Sequence, residues 1–292
     1  IKHTGNNLIA VCDPHDAVGI IDRYFPEADY FREFERFDRH LEKYKRNGGQ
    51  LDYLSICSPN HLHDAHIRLA LRLGADAICE KPLVLNPWNL DALALLEKES
   101  GKKVYSILQL RVHPDLIKLK EKLNLEKSDK KYKVDLTYIT SRGSWYDFSW
   151  KGDIQKSGGI ATNIGVHFFD LLIWLLGGVK YNEVHLKESR RMAGFIELEN
   201  AEVLWYLSLN KEDLPEVALK NNKTTFRSII YDDKEIQFSE GFTELHTRVY
   251  EEILTGRGFG IEEVRPSIEL VYKIRNEKIN EQPTELHYLL KK

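Results

Sequence analysis

Four short apolar runs, at residues 8–12, 51–57, 77–79 and 104–108, punctuate the first third of the chain. Helical patterns lie between them, at 17–24, 34–45, 62–73 and 90–98, and glycines close several of these. Apolar runs this short, separated by helices, predict βαβ units and a parallel sheet. In such a sheet ligands sit outside the carboxyl ends of the strands. Asp13, Ser58-Pro59-Asn60, Glu80-Lys81 and Gln109 all fall just past those ends. No Gly-x-Gly-x-x-Gly loop precedes the first run. Residues 1–7 read as the tail of a helix and a turn into a strand. The expectation is therefore an α/β, Rossmann-like sheet whose first strand and glycine loop are missing; the plainer alternative is that no such element exists.

Beyond residue 110 the pattern changes. A helix at 116–123 leads to a charged linker at 126–131, and then to alternating segments at 133–140, 194–198, 203–209 and 224–230. Alternation means half-buried strands, so a second, α+β domain on a large open, mostly antiparallel sheet is expected. One apolar helix interrupts it at 164–176, and two helices follow at 244–255 and 262–276. The expected domains are 1–110 for dinucleotide binding and 111–292 for substrate binding and oligomerisation. A formal charge of −3 gives no nucleic-acid footprint. No apolar run reaches the roughly 18 residues of a membrane helix. Cys12, Cys57 and Cys79 each lie in an apolar run, which predicts reduced core thiols and a cytoplasmic setting.

Two stretches carry the chemistry. Cys79-Glu80-Lys81-Pro82 places a lysine where a buried strand ends. A desolvated lysine has a depressed pKa and exchanges protons near neutrality. Ser157-Gly158-Gly159 then runs into a helix on which Asn163, His167 and Asp170 share one face at i, i+4 and i+7. A lysine and a histidine converging on a nucleotide-type fold point to proton handling at an alcohol carbon. Asp13 is either a ribose-binding acid that selects NAD or the cap of the next helix. Ser58, Asn60 and His63 follow the second strand and are expected near the cofactor, with Glu80, Lys81 and Gln109; Asn60 also suits a helix N-cap. The run His61-x-His63-Asp64-x-His66 admits a zinc reading, which the helical phase disfavours because His61 and His63 point apart. No metal is therefore expected. Arg111, Arg142 and Lys151 are candidate ligands for a phosphate or a carboxylate.

Together these motifs resemble the Gfo/Idh/MocA oxidoreductase family over nearly the whole chain. Glu80-Lys81-Pro82 is similar to its Glu-Lys-Pro, with Lys81 in the place of the catalytic lysine, and 158–167 is similar to its Gly-Gly … Asp-x-Gly-x-His pattern, with His167 as the histidine. Asn163 stands where the family often has Asp. The runs at 55–60, 77–89 and 138–143 resemble a narrower group, the bacterial UDP-N-acetyl-glucosaminuronate 3-dehydrogenases of O-antigen sugar synthesis. The resemblance implies oxidation of a UDP-sugar 3-hydroxyl by NAD and a homotetramer joined through the open sheets. It leaves His167 and Lys81 as the proton carriers; Arg111, Arg142, Lys151, Asn163 and Asp170 are expected against the substrate from their positions in the sequence.

Overall fold

The computed structural model describes residues 1–15, 19–126, 131–232, 234–236 and 244–291. The parallel strands form as expected. They are β1 (Ala10–Cys12), α1 (Gly19–Tyr24), β2 (Asp29–Phe31), α2 (Phe34–Arg46), β3 (Tyr53–Ile56), α3 (His63–Arg72), β4 (Asp76–Cys79), α4 (Pro87–Ser100) and β5 (Val104–Ser106), with their helices in chain order. The sheet lies in two pieces, β1–β2 and β3–β4–β5, all parallel, and no ladder joins β1 to β3 among the described residues. The short strand β2 carries no apolar run, so composition alone does not reveal it; it forms because its backbone pairs with β1. Residues 17 and 18 of the first predicted helix, and 127–130 of the predicted linker, lie outside the described residues.

The second half adds α5 (Pro114–Leu125), β6 (Tyr132–Thr140), two single turns α6 (Trp145–Phe148) and α7 (Ile154–Ser157), and the long helix α8 (Val166–Leu176). It continues with β7 (Val179–Lys187), β8 (Arg191–Leu198), β9 (Ala201–Ser208), α9 (Glu216–Lys220), β10 (Thr225–Tyr231), β11 (Lys234–Glu235), α10 (Leu245–Leu254) and α11 (Ile261–Asn276). The sheet order is β11-β10-β6-β9-β8-β7, antiparallel except between β6 and β9. This is the mixed, mostly antiparallel sheet the alternation predicted. Strand β7 escaped that reading because its residues are mostly half-exposed and polar.

Helix α8 is apolar on nearly every side because it is the core of this half. Phe169, Leu172 and Leu176 share one hydrophobic cluster with Val203, Trp205 and Leu207 of β9, and the Phe169 ring meets that of Trp205 edge-on at 5.3 Å. The stretch Ile154–Leu176 has the length and mean hydropathy (1.5) of a membrane span, but 78% of its apolar window is buried within the protein. Helix α11 ties the halves together. Its Ile261, Val264 and Ile268 enter the core of the parallel sheet, while Leu270, Val271 and Ile274 enter the core around α8. Each such side chain contributes about 1.5–3 kcal/mol by burial. The two sheets are thereby held in one orientation, which a site built from both requires. Of the three thiols only Cys79 is buried; Cys12 is half-buried, and Cys57, one residue past the end of β3, is exposed. That corrects the expectation of three core thiols.

The entry to α8 is not a regular α-helix. Gly158 and Gly159, both at positive φ (80° and 76°), turn the chain out of α7. A π-helical turn, Ala161–Gly165, follows before α8 begins. Gly165 is required there: a Cβ would sit 2.7 Å from Phe169 Cε2 and 2.8 Å from Leu207 Cδ1, both on buried side chains. Gly165→Ala is expected to lower the unfolding free energy by about 1–3 kcal/mol through overpacking, measured by denaturant titration.

Candidate active site

The site lies where the carboxyl ends of β3 and β4 face the π turn. β4 ends in Cys79, and Glu80-Lys81-Pro82 leads away from the buried strand through a cis Lys81–Pro82 bond. Lys81 Nζ donates to the backbone carbonyl of Asn163 at 2.9 Å. One hydrogen bond thus joins the two halves of the chain at their most chemical residues. Burial pulls the Lys81 pKa down to about 8; Glu80 opposes the shift, and the charges of Lys151 and Arg142 reinforce it. Arg142 and Lys151 are therefore within electrostatic reach of this lysine, as a site for an anionic substrate needs.

His167, one turn beyond Asn163, is half-buried and makes no hydrogen bond to the described residues. Its pKa lies well below the ordinary histidine range. Burial is the main cause, followed by the charges of Lys81, Arg227 and His246. A neutral imidazole beside an ammonium is a base and an acid in one place. Burial works against the Glu80 carboxylate, but the hydrogen bond from His246 (3.2 Å) and the charges of His246 and Lys81 outweigh it, so its pKa lies below the usual range.

Asn163 organises rather than reacts. Its amide Nδ2 donates to Tyr146 Oη at 3.2 Å, and its Oδ1 accepts from Asn60 Nδ2 at 3.4 Å. Asn60 also donates to the carbonyl of Ser157 at 2.9 Å, clamping the β3 turn to the glycine turn. An aspartate at 163 could not donate to Tyr146 and would add a negative charge beside Lys81.

Three expected site residues are engaged within the protein. Arg111 and Asp170, expected against a substrate, are bound to each other. Both are buried, and they pair bidentately: Nε to Oδ2 at 2.9 Å and Nη2 to Oδ1 at 2.7 Å, with a further bond from Arg111 to the Glu263 carbonyl at 3.0 Å. The common face of Asn163, His167 and Asp170 assumed α-helical phase throughout, and the π turn precedes the α-helical part. The third is His63, which is fully buried (0% exposed) with its ring nitrogens 2.8 Å from the Pro82 carbonyl and 2.9 Å from that of Ser58. It braces the lysine loop against the β3 turn. Ser58 Oγ is engaged with His66 Nδ1 at 2.9 Å, and the His66 ring stacks on Phe34. His61, His63 and His66 thus do not converge, and among the described residues no His, Cys, Asp and Glu side chains group as a metal site.

Asp13 ends β1 as an exposed carboxylate, its Oδ1 accepting from the His15 amide at 2.9 Å. Gln109 opens the 3-10 turn after β5, half-buried. The structure gives Tyr146 a definite partner and adds two residues the sequence reading passed over, Arg227 and His246. Tyr146, buried against Asn163, has its hydroxyl pKa raised by burial. The charge of Arg227, on β10, acts on His167, and its guanidinium lies 5.7 Å from the Tyr138 ring centroid. His246 comes from α10. Arg227 and His246 carry no local motif; only the register of β10 on β6 and the docking of α10 on Ile78 and Ile107 bring them here.

Residues 2–107 match the model of the NAD-binding Rossmann fold of this oxidoreductase family, and residues 130–229 match the model of its C-terminal alpha/beta domain. The chain belongs to the Gfo/Idh/MocA family. Among solved structures it is similar to the WlbA (WbpB) dehydrogenase of Thermus thermophilus, crystallised in complex with NAD and UDP-GlcNAcA and, separately, with NAD and α-ketoglutarate. Identity is 49%, with TM-scores of 0.94 and 0.95, covering 99% and 98% of this chain and 93% of that one. Among curated proteins it is 29% identical to the putative oxidoreductase YteT of Bacillus subtilis over 54% of this chain and 37% of that protein. It is 24% identical to the D-glucoside 3-dehydrogenase of Escherichia coli over 62% of this chain and 61% of that protein. The match thus spans about a third and three-fifths of the length of these two curated relatives.

Removing one partner of the Arg111–Asp170 pair leaves a buried charge. Asp170→Asn is expected to destabilise the fold by about 3–5 kcal/mol, read as a shift in the denaturation midpoint. Losing activity at unchanged stability would restore Asp170 to the site.

Proposed function

We propose that the protein is an NAD-dependent dehydrogenase that oxidises the 3-hydroxyl of a UDP-N-acetyl-glucosaminuronic acid to a ketone, in the cytoplasm, as a homotetramer and within O-antigen sugar synthesis. The observation that carries the reading is the meeting of Lys81 with the helix of His167 across the two halves of the chain. The 49% identity to a dehydrogenase crystallised with NAD and UDP-GlcNAcA supports the choice of cofactor and substrate.

The residues present suit NAD. Asp13 offers an exposed carboxylate at a strand end, where it accepts hydrogen bonds from ribose hydroxyls and repels a 2′-phosphate. Ser58, Asn60, Glu80 and Gln109 follow the neighbouring strand ends. When bound, NAD supplies the hydride acceptor. His167, held neutral, takes the proton from the sugar hydroxyl. Lys81, charged, donates a hydrogen bond to the same oxygen as negative charge develops there. Glu80, kept ionised by His246, steadies the ammonium, and Asn163 holds it in place through its carbonyl. Arg142, Lys151 and Arg227 surround the site with positive charge that suits a uronate and a diphosphate.

Purified protein supplied with NAD and UDP-N-acetyl-glucosaminuronate should generate NADH absorbance at 340 nm, and unphosphorylated sugars should not. Lys81→Ala and His167→Ala are each expected to lower kcat by about 10²–10⁴-fold, the range for a positioned proton carrier, with circular dichroism unchanged. Wild-type rates in both variants contradict the assignment.

The lysine must be protonated to donate, and its pKa is lowered from 10.5 to about 8. Activity is therefore expected to fall as pH rises through about 8. Asn163→Asp adds a negative charge beside the ammonium and raises its pKa, so the basic limb of the kcat/KM profile should move to higher pH. A limb that moves down or stays put would show that another group titrates there.

A further inference from the structure

Helix α10 makes polar contacts with the two strands whose ends build the site. His246 and Tyr250 lie four residues apart and so share one face of the helix. His246 Nε2 stands 3.2 Å from Oε1 of Glu80, just past the end of β4, and the Tyr250 hydroxyl hydrogen-bonds Ser55 Oγ in β3. Leu245, Val249 and Ile253 are buried in one cluster with Ile78 and Ile107. That apolar contact holds the helix where both polar contacts form.

Glu80 immediately precedes Lys81, so whatever holds its side chain also holds the turn that carries the lysine. The Lys81 backbone N–H faces the same carboxylate and helps to keep it ionised. The lysine is thereby held at both ends. Its Nζ bonds the Asn163 carbonyl, and its backbone is tied through Glu80 to α10. The His246 side chain is 57% exposed and that of Glu80 28%. A pair this wet adds little to stability. What separates it from the other surface pairs is its place, one residue from the lysine.

We propose that His246 is a positioning residue for the reaction: through Glu80 it fixes the loop that carries Lys81 and, as an imidazolium, it leaves His167 free to accept a proton. This rests on the dehydrogenase reading above and extends it to a residue that no local motif marks. The charged and titratable groups that His246 faces are Glu80, Lys81 and His167. The bond to Glu80 raises the His246 pKa above 6.5, against burial and the charge of Lys81. His246 is therefore charged in the acid range, where His167 would otherwise take up a proton and cease to be a base. Its charge there adds to burial, Lys81 and Arg227 in holding the His167 pKa down.

The test compares kcat and kcat/KM against pH for the NAD-dependent oxidation of the UDP-uronate by wild type, His246→Ala and His246→Gln. Glutamine keeps an N–H donor for Glu80 and discards the charge. His246→Ala is expected to lower kcat about tenfold with KM for NAD and sugar changed less than about twofold, and His246→Gln to recover kcat to within about threefold of wild type. Both variants should move the acid limb of kcat/KM to higher pH, because His167 loses a neighbouring positive charge. Wild-type kcat in His246→Ala, a glutamine variant no faster than the alanine one, or an acid limb that stays put in both overturns the proposal. Imidazole titration by NMR gives a readout without turnover: the His246 pKa should lie above 6.5 and fall in Glu80→Gln. An enzyme inert toward the UDP-uronate whose His246 still follows Glu80 removes the substrate assignment alone. A His246 pKa indifferent to Glu80→Gln removes the contact, and the proposal with it.

Discussion

An ammonium at the end of a buried strand must find an acceptor, and here that acceptor belongs to the other half of the chain. The bond from Lys81 to the Asn163 carbonyl joins the end of β4 to the π turn that leads into α8. Much of the surrounding structure serves that approach. Helix α11 contributes side chains to both cores, so the halves cannot slide independently. Asn60 clasps Ser157 and Asn163, and His63 braces the loop that carries the lysine. The Arg111–Asp170 pair anchors α8 to the turn after β5.

Charge then decides what each group can do. Burial and neighbouring cations bring Lys81 to about 8, low enough to respond to its surroundings and high enough to remain charged at neutral pH. The same burial and the same lysine keep His167 neutral. A charged lysine and a neutral histidine thus stand in complementary protonation states, burial being the main cause for both. Asn163 fits this arrangement. Its amide ties Tyr146 and Asn60 together without adding charge, where an aspartate would strengthen the hold on the ammonium and move its titration.

Much of this was legible in the residues. The parallel strands follow from apolar runs, and the lysine and histidine from the motifs that end β4 and open α8. What could not be read has physical causes. A π turn looks like any helical sequence, so an even pitch puts Asn163, His167 and Asp170 on one face, whereas Asp170 pairs with Arg111 in the interior. Strands β2 and β7 are made by backbone pairing and carry no strong alternation. Arg227 and His246 reach the site only through strand register and helix docking, which no local pattern encodes.

The central claim is that Lys81 and His167 act as a unit on a single oxygen. A double-mutant cycle on kcat, with Lys81→Met, His167→Asn and the combination, tests it directly. Groups that serve the same proton and the same developing charge are strongly non-additive, so the double variant should be scarcely slower than the worse single one. Losses that multiply, each residue costing the same factor whether or not the other is present, would mean that the two side chains work independently and would contradict the account.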